Sequence, residues 1–172
     1  QSPGEGVQRR AFLKRETLKL RMRLGIFEED VEGHLKLGAI YHEMGEYEQA
    51  TKEFQMAIGF DDKHAQAYNH LGMAYLGAGC GNLAIKAFRV AICLEPNNPA
   101  FWNNLGYAYD AAYDFENSVA AYRSAITIDS EFQDAYYNLG GVFHARARFE
   151  DAIENYQKAI ALDDSDADAH AN

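Results

Sequence analysis

The chain has 172 residues, 48% hydrophobic and 24% charged, with a formal net charge of −10. That balance belongs to a folded globular chain and excludes a disordered one. A surface this negative repels nucleic acid and attracts a basic segment of another protein, and no run reaches the roughly 18 apolar residues of a membrane span.

Residues 1–30 are a basic leader, with Arg9, Arg10, Lys14, Arg15, Lys19, Arg21 and Arg23 against five acids. Residues 31–172 keep 9 basic and 21 acidic groups, a net of −12. Arg9-Arg10-Ala11-Phe12-Leu13-Lys14 resembles a twin-arginine export signal. Such a signal needs an apolar run after the arginines, and Arg15 to Arg23 is highly charged instead. Leu18 to Leu24 alternates apolar and basic residues, which is a strand signal. A lone strand has no sheet to join, so a helix over roughly residues 8–25 is the preferred reading. It serves either as a capping helix, a degenerate half-repeat, or as a detachable basic arm that docks on an acidic groove, its own or that of another copy.

From residue 31 the chain repeats itself. Leu37-Gly38, Leu71-Gly72, Leu105-Gly106 and Leu139-Gly140 stand 34 residues apart. Tyr41, Tyr75, Tyr109 and Phe143 follow three residues after each glycine. Ala50, Ala84, Ser118 and Ala152 form another column, and Phe54, Phe88, Tyr122 and Tyr156 the next. Ala57, Ala91, Ala125 and Ala159 close the pattern, each followed by isoleucine. Spacings of three and four put each set on one helix face. Each repeat is therefore two helices, with small residues letting the backbones approach and aromatics filling the space beside them. One such hairpin cannot hide its apolar face, whereas stacked neighbours can. The units are 31–64, 65–98, 99–132 and 133–166, and residues 167–172 are in register with the start of a fifth. Carried back one step, Leu20 falls on the Phe54 column, Leu24 on Ile58 and Ile26 on Phe60, which supports the helical reading of the leader.

Turn and cap residues agree with these units. Gly45 and Gly79 stop the first helix of their repeats. Asn98-Pro99 reads as a cap followed by proline at the first helical position. Ser130 with Gln133 fits a capping box, and Asp114 caps the helix that begins at Phe115. Tyr113 and Ala147 replace the turn glycine in the last two repeats, which predicts turns of another shape there.

Trp102, Leu105, Gly106, Tyr109, Tyr122 and Ala125 resemble the tetratricopeptide repeat pattern, as do Tyr68, Leu71, Gly72, Tyr75, Ala84, Phe88, Ala91 and Pro96. The helix-ending proline is present only at Pro96, and His34 stands where an aromatic or leucine is usual. The resemblance implies an all-α, right-handed superhelical solenoid of antiparallel helix pairs whose first helices line a concave groove for peptides or protein partners.

It also implies which residues face that groove. The position before Leu-Gly reads Lys36, His70, Asn104 and Asn138, with Asn172 in the partial repeat, and the one before it reads Leu35, Asn69, Asn103 and Tyr137. The recurring Asn-Leu-Gly is similar to the asparagine ladder of the O-GlcNAc transferase superhelix. An amide offers donors and an acceptor, so it can hold an extended peptide backbone with little sequence preference. Glu32, Glu43, His42, Met73, Tyr107, Asp110, Asp134 and His144 are further candidates, the acids selecting a basic peptide and Met73 and Tyr107 forming an apolar floor. The carboxylate clamp of chaperone-binding members looks absent, since Leu35 and Ala39 stand where it needs lysine and asparagine.

No motif carries catalysis: there is no phosphate loop, zinc-protease helix or nucleophile elbow. His42, Asp110 and His144 recur one per repeat, roughly 10 Å apart, too far to share a metal whose ligands lie at about 2 Å, so no cofactor or metal is expected. Cys80 and Cys93 lie roughly 20 Å apart along a helix, beyond disulfide reach, and free thiols fit a reducing, cytoplasmic setting. The expected function is a non-catalytic adaptor that binds an extended, basic segment of a protein partner. The alternatives are a substrate-recognition fragment of a larger enzyme and a scaffold that self-associates through its basic leader or its open C-terminal end.

Overall fold

The computed structural model describes residues 3–25 and 30–171, with residues 3–5, 7, 24 and 164–171 as backbone alone. Ile26 and Asn172 lie outside the described residues. Those described form α1 (Pro3–Leu24), α2 (Val31–Glu43), α3 (Tyr47–Phe60), α4 (Ala65–Gly77), α5 (Gly81–Leu94), α6 (Pro99–Ala111), α7 (Phe115–Ile128), α8 (Gln133–Ala145) and α9 (Phe149–Ala171). There is no strand among them. The chain divides into two compact units, residues 1–94 and 95–172. The first holds α1 and the hairpins α2–α3 and α4–α5. The second holds the hairpins α6–α7 and α8–α9.

The leader is helical despite its alternating residues. Leu13 is buried, and Leu20 packs against the core of Leu35, Leu37, Tyr41 and Phe54. Burying two leucines outweighs the weak local strand preference. Ion pairs fix the helix at both ends. Arg9 donates two hydrogen bonds to the Glu43 carboxylate, at 2.6 and 2.9 Å. Arg23 meets Asp30 at 2.6 Å, and Asp30 in turn caps α2 by accepting from the Gly33 N–H at 2.8 Å.

Each hairpin closes through one glycine and one ring. A Cβ at Gly38, Gly72, Gly106 or Gly140 would lie 2.5, 2.6, 2.8 or 2.8 Å from a carbon of Phe54, Phe88, Tyr122 or Tyr156. The aromatic of the second helix thus occupies the volume that the glycine leaves empty. Phe54, Phe88 and Tyr122 are buried by this contact, each contributing roughly 1.5–3 kcal/mol. His34 fills its aromatic position in a different way. Its buried ring stacks 5.7 Å from Phe60, and its Nδ1 meets Glu53 Oε2 at 2.7 Å.

The expectation of differently shaped turns is not met. Tyr113 (φ 59°) and Ala147 (φ 56°) adopt the same left-handed conformation as Gly45 (φ 75°) and Gly79 (φ 74°). The next N–H always reaches back to the aromatic carbonyl: Glu46 to Tyr41, Cys80 to Tyr75, Asp114 to Tyr109 and Arg148 to Phe143, at 2.8, 2.8, 2.9 and 3.0 Å. The backbone bonds that end the helix dictate the turn, and the side chains of Tyr113 and Ala147 simply project into solvent. Asn98 and Asp114 cap α6 and α7 as expected, accepting from Ala100 and Asn117 N–H groups. Ser130 does not cap α8. Phe132 holds that position without a side-chain bond, because Asp129 organises the turn by accepting from the Glu131 N–H at 2.9 Å. Residues 167–171, in register with a new repeat, continue α9. No described helix is long and apolar enough to cross a membrane.

Candidate peptide-binding faces

In each unit the first helices turn one stripe away from the core. In residues 1–94, helical spacing sets Ala39 and His42 on α2, and Asn69 and Met73 on α4, opposite Leu37 and Leu71, while Leu35 is buried in the core. Asn69 is buried, while Met73 and His42 are half-buried. The His42 ring meets Tyr47 edge-on at 5.4 Å. Lys36 is exposed and pairs with Glu32 at 3.1 Å. His70 is half-buried, its ring 5.3 Å from Phe54 and its Nε2 3.2 Å from the Gln66 amide nitrogen. Burial pushes the His70 pKa below its ordinary 6.5, and repulsion from His42 and His64 adds to the shift. Burial therefore disfavours the charged form of the ring.

In residues 95–172, the same spacing sets Asn103, Tyr107 and Asp110 on α6, and Tyr137, Gly141 and His144 on α8. Asn138 donates from Nδ2 to Asn103 Oδ1 at 3.0 Å. Asn103 is buried and Asn138 half-buried, so these asparagines serve each other first. Among the described residues, nothing engages the second amide N–H or the Oδ1 of Asn138. Asn104 is half-buried, and Asp134 and His144 are exposed, the His144 ring lying 5.8 Å from Phe149. Tyr107 is 55% exposed. Tyr137 is 64% exposed and lies 5.6 Å from the Tyr156 ring. The sequence sets it in the groove-facing column of Leu35, Asn69 and Asn103, where it is the one aromatic residue.

Desolvation raises the Asp110 carboxyl above its ordinary value, against a downward pull from Arg146. Arg146 itself rests over the Phe115 ring, 4.9 Å from its centre. Burial pushes the Tyr122 phenol far above its usual range, with Asp110 and Tyr107 adding to the shift. The face thus carries an exposed tyrosine on each helix, a partly dehydrated carboxylate one turn from Tyr107, and the Asn138 amide on α8. Among the described residues, no group of three or more His, Cys, Asp or Glu is arranged to hold a metal. Cys80 and Cys93 are free and exposed.

A tetratricopeptide repeat model matches residues 134–166. A second TPR model matches residues 38–79 and 114–146, and the matched segments together cover more than half of the chain. The chain belongs to the tetratricopeptide repeat family. Solved TPR structures share its fold. MamA is 24% identical, with 98% of each chain covered and a TM-score of 0.81. MamA 41-end from Desulfovibrio magneticus RS-1 is 21% identical, with 94% of this chain and 91% of that one covered and a TM-score of 0.80. YrrB, a TPR protein with an unusual peptide-binding site, is 19% identical, with 88% and 78% covered and a TM-score of 0.70. No curated protein sequence matches the chain. TPR proteins are typically non-catalytic scaffolds that bind protein or peptide partners, and the repeats make this chain a protein-interaction scaffold.

Proposed function

We propose that this TPR protein is an adaptor that holds an extended, basic segment of a protein partner on its first-helix faces. The observation that carries this reading is the face of α6 and α8. Tyr107 and Tyr137 are mostly exposed there, on the helices that carry Asp110, Asp134 and the Asn138 amide. Tyrosines give contact area at little entropic cost and accept cations over their rings. A partly dehydrated carboxylate gains more from an incoming lysine or arginine than a fully hydrated one does. The amide can pair with a peptide unit whatever its side chain. Lys36, Asn69, His70, Met73 and His42 offer a second, less acidic stretch on α2 and α4. YrrB, which shares the fold, is described as having a peptide-binding site, and the net charge of −12 over residues 31–172 favours a basic ligand.

Fluorescence anisotropy with matched sets of labelled lysine/arginine-rich and aspartate/glutamate-rich extended peptides tests the reading. The basic set should bind at least about tenfold more tightly, and salt should weaken it. Tyr107→Ala with Tyr137→Ala should weaken binding about tenfold with the helical circular dichroism spectrum unchanged. Equal binding of both sets, or an unaffected double variant, would remove the reading.

A further inference from the structure

The outer face of α5 leaves apolar side chains open to solvent in the middle of the chain. Leu83 and Val90 are 44% and 39% exposed. Steps of three and four string Leu83, Lys86, Val90 and Cys93 along one face of the helix, and Lys86 and Cys93 are exposed with them. This face lies opposite Ala84, Phe88 and Ala91, which are buried in the hairpin with α4. The side that a following repeat takes is another one. In residues 95–172, Val119 and Ile126 of α7 meet the α8 cluster, and their counterparts on α5 are Ile85 and the buried Ile92. On α3, Met56 is 49% exposed and Lys52 is exposed, at the positions that Val90 and Lys86 hold one repeat on. The next repeat is polar at most of these places, with Asn117, Ala120, Ser124 and Thr127 on α7.

The same face is basic in an acidic chain. α5 has two basic residues, Lys86 and Arg89, and no acid. With Lys52 they are exposed cations that form no ion pair among the described residues. On α3, Glu53 is turned to His34, and Glu48, one turn before Lys52, makes no ion pair with it. Open apolar residues set among unpaired cations mark an interaction surface. The matching surface is a helix that sets acids among apolar residues, since such a helix presents its anchors at steps of three and four. We propose that the outer face of α5, with Lys52 and Met56 of α3, docks an amphipathic helix of a protein partner whose contact face carries leucine-like residues flanked by aspartate or glutamate. A second copy is disfavoured, because two such faces would oppose cation to cation. A lipid surface is disfavoured, because the face has no aromatic anchor and the chain as a whole is acidic, which an anionic leaflet repels. The site stands apart from peptide binding on α2, α4, α6 and α8, and it takes a ligand of the opposite charge.

Cys93 gives a local readout, since its exposed thiol ends the row. The test is the rate at which N-ethylmaleimide alkylates Cys93 in the full chain, followed by mass spectrometry of the digested protein. Two labelled helical peptides of about five turns serve as probes. Both set leucines at steps of three and four, one flanked by glutamates and the other by lysines. The glutamate peptide, at about ten times its Kd by fluorescence anisotropy, should slow alkylation of Cys93 about tenfold. The lysine peptide should leave that rate unchanged. Leu83→Asn with Val90→Ser installs the residues of α7 and should weaken the glutamate peptide about tenfold, with the circular dichroism spectrum unchanged. Lys86→Glu with Arg89→Glu should invert the preference, so that the lysine peptide protects Cys93, a gain that unfolding cannot mimic. Basic extended peptides should bind both variants as they bind wild type, which separates this site from the α6 and α8 face. The proposal is overturned if the glutamate peptide fails to protect Cys93, if the Leu83/Val90 variant is protected as wild type is, or if charge reversal leaves the preference as it was. It is equally overturned if phosphatidylserine vesicles alone protect Cys93, which would make the face a membrane contact, or if rising protein concentration alone does so, which would make it a contact between copies.

Discussion

Replacing Ala147 by glycine should make this TPR protein more stable, against the usual sign of such a change. Ala147 sits at φ 56° and Tyr113 at φ 59°, where an L side chain costs about 1–2 kcal/mol. Glycine removes that cost but restores about 0.4–1 kcal/mol of chain entropy to the unfolded state. The net gain is about 0.5–1 kcal/mol per site. Neither side chain offsets it by packing, since Ala147 is exposed and Tyr113 is 88% exposed. The mirror substitution, Gly45→Ala at φ 75°, should cost about 1 kcal/mol. Urea unfolding followed by circular dichroism reads all three, and the double variant Tyr113→Gly with Ala147→Gly should approach the sum, the sites lying in different turns. For a chain of this length each kcal/mol corresponds to about 2–4 °C in Tm. A lowered midpoint for Ala147→Gly together with a neutral Gly45→Ala would show that the turn conformation exacts no cost, and would refute the reasoning.

Other substitutions probe the core and the faces. Ser118 occupies an alanine column, fully buried, with an Oγ that has no hydrogen-bond partner; Ser118→Ala should add about 1–2 kcal/mol, read as a higher urea midpoint. Gly72→Ala would bring a Cβ to 2.6 Å from the fully buried Phe88 ring and should cost about 1–3 kcal/mol in the same assay, with Phe88→Leu in the same chain recovering part of it. His70 is held below pKa 6.5 by burial and by His42 and His64. The unfolded chain therefore takes up that proton at the higher pH, so the stabilising contribution is complete above about pH 6.5 and is lost as pH falls towards the folded value. His70→Gln should flatten the pH dependence of the urea midpoint over that range. Asn138→Ala strips the donor from the buried Asn103 Oδ1 and should cost about 1–3 kcal/mol, detectable as a lower midpoint.

The repeat was legible because its constraint is written in residue types. Only glycine at positions such as Gly72 leaves volume for rings such as Phe88, and that pairing recurs every 34 residues. The helical state of α1 was legible only through register, since the local alternation of Leu18 to Leu24 pointed to a strand and the deciding term was burial of Leu13 and Leu20. The turns at Tyr113 and Ala147 were misread because glycine is favoured there but not required. Four backbone bonds impose the conformation, and the residue only alters its cost. The site was harder to read for a related reason. Asn103 and Asn138 belong to different columns, and a column compares like positions, whereas their bond joins unlike positions 35 residues apart. A residue's place in a repeat tells which face it occupies, and only its neighbours across that face decide whether its polar atoms are available. Function in a repeat fold therefore resides where equivalent residues have unequal neighbours, and those are the positions at which substitutions should separate binding from stability.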